Sequence, residues 1–196
     1  MWVKMTAVFV AALAFGLTTG CNPQTPEPAA MEQAAAMSSA LIGHEAPGFT
    51  LQNQDGEPVG LQDFRGQWLV LYFYPKDDTP GCTCQATEFT GMLDEFQDMN
   101  AVVLGISEDS PRSHRRFIEA HDLDITLLSD PTHETMSDYG AWLRGTIDGK
   151  GYGRTIRSTV SIGPEGKIRY HWPEVIPTGH AERVRRQLKA LQGPGS

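Results

Sequence analysis

Apolar and aromatic residues follow one another almost without interruption from Gln67 to Tyr74. A continuous run of this length is typical of a central β-strand that is covered on both faces of a sheet. Shorter apolar runs predict four further strands, at Ala101–Ile106, Ile125–Leu128, Ile156–Ile162 and Lys167–Trp172. The last two flank Gly163-Pro164-Glu165-Gly166, a turn sequence that predicts a β-hairpin.

Segments with helical spacing of apolar positions separate these strands. They predict helices over Pro80 to about Met99, Pro111–His121 and His180–Leu191, and Ser110 with Pro111 is a start signal for the second helix. The alternation favours an α/β fold in which a central mixed sheet carries helices on both faces. With 196 residues and 40% hydrophobic content, the chain can bury one substantial core.

The N-terminal region predicts export. One lysine precedes an apolar run from Met5 to Leu17, which is typical of a secretory signal and shorter than the ~20 residues that a membrane-spanning helix needs. Gly20-Cys21 resembles a bacterial lipoprotein processing site, although Thr18 stands where that pattern prefers an aliphatic residue. We expect a signal peptide over residues 1–20, lipidation of Cys21 and a membrane-anchored protein on the periplasmic side. Ordinary secretion or an uncleaved anchor is the alternative.

The rest of the chain divides into a tether and one domain. Residues 21–41 are rich in proline, alanine and polar residues and lack the apolar periodicity of a core, which predicts a flexible tether. Residues 42–192 then form a single domain. The net charge of −8 argues against nucleic acid as a partner, because a phosphate-binding surface needs a basic excess. The membrane is expected to be a partner only through the lipidated N-terminus.

The segment after the central strand places a cysteine in the first turn of a helix. Thr79 is a typical N-cap and Pro80 a typical first helical residue, which makes Cys82 the third. We expect the Thr79 side chain to bond a backbone N–H of the first turn, close to Cys82. The unpaired N–H groups and the positive end of the helix dipole favour an anionic sulfur at that position.

The spacing Pro75-x-x-x-Thr79-x-x-Cys82 resembles the active-site motif of the peroxiredoxins. The fuller string Tyr-Phe-Tyr-Pro-Lys-Asp and Thr-Pro-Gly-Cys-Thr resembles their bacterioferritin-comigratory-protein branch. Ile42–Leu51 is similar to the opening of that family, and Arg157–Ile162 to its late strand. The resemblance implies a thioredoxin-like fold and a thiol peroxidase that needs no cofactor, acts on hydrogen peroxide and organic hydroperoxides, and works as a monomer or weak dimer.

The same resemblance implies roles for four residues. Cys82 is the nucleophile, Thr79 hydrogen-bonds the thiolate and the peroxide, Pro75 shields the sulfur from water, and Arg157 supplies a fixed positive charge. A guanidinium suits that task because it stays charged at any working pH and donates a fork of hydrogen bonds. The charges of Asp77 and Asp78 would oppose an anionic sulfur, so both are expected to point into solvent.

Cys84 departs from the commoner pattern of the family, in which a resolving cysteine follows the nucleophile by five residues. That position is Thr87. A helical residue two positions after Cys82 points about 200° away from it, so a disulfide between Cys82 and Cys84 would require the first turn to unwind. The sulfenic acid is therefore expected to react with an outside thiol, from a thioredoxin-like protein or a small molecule. Cys84 stays open as a resolving residue or a passive one.

Two other classes of protein remain as alternatives. A Cys-x-Cys pair can bind Cu(I), which would fit an exported thioredoxin-like metallochaperone. A thiol-disulfide oxidoreductase normally uses Cys-x-x-Cys, which this chain lacks. The histidines have no metal-site spacing, so solvated or packing roles are expected for them and no metal is predicted: His44, His114, His121, His133, His171 and His180.

Overall fold

The structure is a computed structural model that describes residue 36, residues 40–147 and residues 150–193. The strands are β1 Thr50–Asn53, β2 Pro58–Gly60, β3 Trp68–Phe73, β4 Ala101–Ser107, β5 Thr126–Ser129, β6 Trp142–Ile147, β7 Lys150–Thr155, β8 Ser158–Ile162 and β9 Ile168–Trp172. The helices are α1 Pro80–Thr90, α2 Leu93–Asp98, α3 Pro111–His121, α4 Glu134–Asp138 and α5 His180–Leu191, with a 3₁₀ turn at Leu61–Phe64. The predicted signal peptide over residues 1–20, with Cys21, and nearly all of the tether lie outside the described residues.

A seven-stranded mixed sheet forms the centre of the domain, in the order β2-β1-β5-β4-β3-β8-β9. β3, β4 and β5 are parallel to one another, and β8 runs antiparallel to β3. All six residues of β3 are buried, which confirms the predicted central strand. The predicted α/β fold with a mixed sheet is also confirmed.

Each face of the sheet has its own core. Val70 and Tyr72 point to the face that is covered by α1, α2, α3 and α5. Leu71 and Phe73 point to the opposite face, which α4 and the segment before β1 cover. The alternation of side chains along one strand therefore supplies both cores, as expected for a sheet with helices on both faces.

The helix predicted from Pro80 to about Met99 is wrong in its length. It ends at Thr90, and a separate short helix, α2, begins at Leu93. Gly91 is the C-cap, with its N–H bonded to the Thr87 carbonyl. Glycine is a poor helix former, which favours an end of the helix at this residue, and Phe96 of the following helix α2 is buried in the core.

The sequence pattern did not predict the two-stranded ribbon of β6 and β7. Glycines interrupt its apolar pattern, and glycine weakens the strand signal. One of them, Gly153, lies under the ring of Trp142, where any side chain would collide with that ring. The ribbon leads directly into Arg157 and β8.

Candidate active site

Cys82 lies where the sequence places it, as the third residue of α1. β3 ends at Phe73, a turn of six residues follows, Thr79 takes an extended N-cap conformation and Pro80 opens the helix. Only 1% of Cys82 is exposed. Its sulfur lies at the positive end of α1, where N–H groups have no partner within the helix.

Arg157 reaches this sulfur from a residue 75 positions further along the chain. Its Nη2 donates a hydrogen bond to Cys82 Sγ at 3.2 Å. The sheet explains the approach: Ser158 pairs with Phe73 between antiparallel strands, so Arg157 lies beside the end of β3, where the turn to α1 begins. The Arg157 carbonyl also accepts the N–H of Val175 at 2.9 Å. The structure therefore brings together the predicted nucleophile and the predicted cation.

Gln85 is a site residue that the sequence analysis missed. It is fully buried, and its Oε1 accepts a 2.7 Å hydrogen bond from Arg157 Nη1. The two nitrogens of the guanidinium fork thus bind Gln85 and Cys82, which lie three residues apart on one face of α1. The three-residue spacing from Cys82 was the available signal that Gln85 lies on the same face of the helix. The sequence could not show that Arg157 lies opposite that face.

Thr79 does not make the predicted capping bond. Its hydroxyl donates to the Lys76 carbonyl at 3.1 Å instead, within the turn that precedes the helix. The Thr79 carbonyl accepts the N–H of Thr83 at 2.9 Å, the first bond of α1. Because the hydroxyl donates its hydrogen to the Lys76 carbonyl, its oxygen can still accept a hydrogen bond. Pro75 is half-buried at the other end of the same turn.

The expected solvent position of Asp77 is wrong. Asp77 is only 6% exposed, and its Oδ1 accepts the Tyr74 hydroxyl at 2.8 Å while His114 Nδ1 lies 3.0 Å from Oδ2. These partners compensate for the removal of a carboxylate from water. The side chain of Asp78 is 62% exposed, as expected, and it pairs with His121.

Aromatic rings form the buried wall behind Cys82. Tyr72 stacks on Tyr74 with centroids 5.4 Å apart and on Phe89 with centroids 5.0 Å apart. Burial, and then the nearby charge of Cys82, raise the pKa of Tyr72 far above its usual value, so this phenol stays protonated. The wall excludes water from one side of the sulfur, which strengthens the electrostatic effect of Arg157.

Cys84 lies on the same helix and is half-buried. Its sulfur is 3.9 Å from Glu88 Oε1, and the same oxygen accepts the N–H of Gly179 at 2.6 Å. Cys82 and Cys84, the cysteines among the described residues, are both thiols. Thr87, at the usual resolving position, is exposed.

Five of the six histidines occupy packing or ion-pair positions, and His44 is exposed. His114, His171 and His180 are buried, whereas His121 and His133 pair with the carboxylates of Asp78 and Glu108. Among the described residues, no three histidine, cysteine or acidic side chains are grouped so that they could hold a metal ion. No helix in that part of the chain is long and apolar enough to cross a membrane.

Comparison with known proteins places this site in a family, since the AhpC/TSA family matches residues 42–171. The chain belongs to that family and is a peroxiredoxin. Peroxiredoxin Bcp of Escherichia coli is 40% identical over 153 residues, which cover 78% of this chain and 98% of the relative. Peroxiredoxin Bcp of Bacillus subtilis is 38% identical over 150 residues, 76% of this chain and 96% of the relative.

A solved structure of the Xanthomonas campestris bacterioferritin comigratory protein is also similar, with a TM-score of 0.71 and 34% identity. The match covers 74% of this chain and 92% of that protein. These relatives confirm the predicted thioredoxin-like peroxiredoxin fold, and the protein is a thiol-dependent peroxidase.

Proposed function

We propose that this peroxiredoxin reduces hydrogen peroxide and organic hydroperoxides through a sulfenic acid on Cys82, which an outside thiol then reduces. The observation that carries the proposal is the 3.2 Å hydrogen bond from Arg157 to Cys82 Sγ at the start of α1. A fixed cation and a helix N-terminus at one sulfur favour the thiolate that attacks a peroxide. The Xanthomonas campestris relative is described with an alkyl peroxide reduction activity, which supports the inclusion of organic hydroperoxides.

The oxidation step follows from this geometry. The Cys82 thiolate attacks one peroxide oxygen, an S–O bond forms and the O–O bond breaks, leaving Cys82 sulfenic acid and a hydroxide or alkoxide that takes up a proton. Arg157 stabilises the negative charge as it moves from sulfur to the departing oxygen. In this proposal Thr79, the N-cap of the helix that carries Cys82, orients the peroxide through its hydroxyl. Pro75, at the other end of the same turn, covers the sulfur against water.

The reduction step requires part of α1 to move. Since Cys82 is 1% exposed, an outside thiol cannot reach the sulfenic sulfur in this conformation. Once α1 has moved, the sulfur of the outside thiol attacks the sulfenic sulfur, which forms a mixed disulfide and releases water. A second thiol then attacks this disulfide and frees the Cys82 thiol. A bond to Cys84 would also need the first turn to unwind, because residues two apart on a helix point about 200° away from each other. We therefore assign Cys84 no required part in turnover.

Steady-state peroxide consumption tests the proposal, with thioredoxin or dithiothreitol as the outside thiol. Cys82→Ser should abolish turnover, because a hydroxyl is not ionised near neutral pH. Cys84→Ser should leave turnover close to that of the unmodified protein, and it serves as the matched control on the same helix. Turnover that survives Cys82→Ser refutes the assignment of the nucleophile. Turnover that is lost in Cys84→Ser shows that Cys84 resolves the sulfenic acid.

We also propose that the protein is exported and anchored in a membrane on the periplasmic side through lipid on Cys21. The apolar run from Met5 to Leu17 and the Gly20-Cys21 sequence support this proposal. Cys21→Ser should abolish the incorporation of radiolabelled palmitate into the protein. An unmodified protein that incorporates no label would exclude a lipid anchor at Cys21. The monomer or weak dimer stays a prediction, which size-exclusion chromatography would test.

A further inference from the structure

Asp77 is a buried carboxylate in the middle of the turn that connects β3 to α1. His114 Nδ1 of α3 lies 3.0 Å from Asp77 Oδ2 and 3.2 Å from Oδ1, and the Tyr74 hydroxyl donates to Oδ1 at 2.8 Å. Burial alone would raise the pKa of Asp77, but the contacts from His114 and then Tyr74 hold it below the usual value. The charge is thus kept inside the protein by partners that surround it.

The backbone of Asp77 is also fixed. Its N–H donates to Asp109 Oδ2 at 2.9 Å, and the Ser107 hydroxyl donates to the same oxygen at 2.9 Å. Ser107 ends β4, and Asp109 stands in the connection from β4 to α3. Both the main chain and the side chain of Asp77 are therefore tied to the β4–α3 region, outside the elements that carry Cys82 and Arg157.

The residue after Asp77 takes a backbone conformation that few residue types adopt. Asp78 has φ +58°, a left-handed conformation that is uncommon for residues other than glycine. This conformation reverses the chain, so that Thr79 is extended and Pro80 can begin the helix. Asp78 Oδ1 lies 2.8 Å from His121 Nε2, about two turns further along the same face of α3 as His114, and this second pair is exposed to solvent.

His114 has no other hydrogen-bonding task in the described structure. It is fully buried, its Nδ1 lies within hydrogen-bonding distance of Asp77 and Tyr74, and its Nε2 has no hydrogen-bond partner among the described residues. A buried N–H without an acceptor is costly, so the ring hydrogen is best placed on Nδ1, which faces Asp77, and not on Nε2. The polar contacts of the His114 ring therefore go to Tyr74 and Asp77, at the start of the segment that connects β3 to α1.

We propose that Asp77 and His114 are positioning residues of the peroxidase reaction: they hold the turn that carries Pro75 and Thr79 in place around the Cys82 sulfur. Neither residue touches the peroxide; each acts through the turn. A misplacement of about 1 Å at a reacting group can slow a reaction by about a hundredfold. This inference rests on the proposed function, in which Cys82 is the reacting thiol.

The test compares two reactions of Cys82 in the full-length protein at 25 °C: oxidation by hydrogen peroxide in a single turnover, and alkylation by iodoacetamide. Peroxide must be oriented by the turn, whereas alkylation needs only a thiolate and access. His114→Ala should slow the oxidation itself by about tenfold to a hundredfold without slowing alkylation, so that the ratio of the oxidation rate to the alkylation rate falls. A ratio that falls only because alkylation becomes faster overturns the inference, since it shows a turn that covers Cys82 without orienting the peroxide. His114→Asn, whose amide nitrogen can replace Nδ1, should restore most of the ratio.

His121→Ala is the matched control, since it removes the exposed pair on the neighbouring aspartate and should change the ratio by no more than about threefold. An unchanged ratio in His114→Ala overturns the inference. So does a fall in His121→Ala and His114→Asn that is as large as the fall in His114→Ala. If His114→Ala does not fold, Tyr74→Phe removes only a hydroxyl from the same cluster, and an unchanged ratio there overturns the inference too. Failure of unmodified Cys82 to react with peroxide would instead refute the proposed function.

Discussion

Arg157 allows the clearest quantitative prediction about the chemistry. It donates to Cys82 Sγ at 3.2 Å and to Gln85 Oε1 at 2.7 Å, so its removal leaves the thiolate without its cation and a buried amide oxygen without its donor. A hydrogen bond to a charged group contributes about 1.5–3 kcal/mol, and each 1.36 kcal/mol changes a rate tenfold. Arg157→Met should therefore slow the oxidation of Cys82 by about tenfold to a hundredfold or more.

Stopped-flow measurement of the second-order rate constant with hydrogen peroxide is the assay. Arg157→Lys keeps the charge but cannot bind Gln85 and the sulfur with one planar fork, so its rate constant should lie between those of the unmodified protein and Arg157→Met. Arg154→Met, an exposed arginine three residues earlier, controls for the loss of a positive charge. A rate constant for Arg157→Met within about threefold of that for Arg154→Met would show that Arg157 does not stabilise the thiolate or the departing oxygen.

Two further predictions concern stability and the reduction step. Burial lowers the pKa of His171 to about 4 and of His180 to about 3, below the unfolded value near 6.5, so the stability that depends on their neutral forms is present above pH 6.5 and lost on acidification. Urea unfolding at pH 5 should give a free energy lower than at pH 7 by on the order of 2 kcal/mol for each histidine, and an equal or higher value would contradict this. Glu88→Ala removes the 2.6 Å bond to the Gly179 N–H that ties α1 to the start of α5. The preformed Cys82 sulfenic acid should then react with dithiothreitol about tenfold faster, because α1 opens more easily, and an unchanged rate would contradict that role.

Local patterns predicted the parts of the fold that depend on neighbouring residues. The central strand could be predicted from its continuous apolar run, and α3 from Ser110 and Pro111, with the Ser110 hydroxyl indeed accepting the N–H of Ser113. The hairpin turn before β9 and the bounds of α5 follow in the same way. The strands β6 and β7 could not be predicted, because they contain glycines where other strands have apolar side chains. One of these glycines, Gly153, lies under the Trp142 ring, which leaves no space for a side chain.

The site was predicted only as far as one motif extends. Cys82 and its helix N-terminus could be placed from the turn sequence, and Arg157 only through the resemblance to peroxiredoxins. Gln85 and the burial of Asp77 depend on partners 72 and 37 residues away, which no local pattern reveals. The Thr79 hydroxyl donates to the Lys76 carbonyl and accepts no N–H of the first turn, an arrangement within the turn that the N-cap preference alone does not reveal.

Intact-mass spectrometry with a sulfenic acid trap shows whether peroxide converts Cys82 to a sulfenic acid. The full-length protein and its Cys84→Ser and Cys82→Ser variants are treated with one equivalent of hydrogen peroxide in the presence of dimedone. We expect one trapped adduct, on Cys82, in both the unmodified protein and Cys84→Ser, and none on Cys82→Ser. A missing adduct in all three proteins, or an adduct that persists in Cys82→Ser, would contradict this expectation.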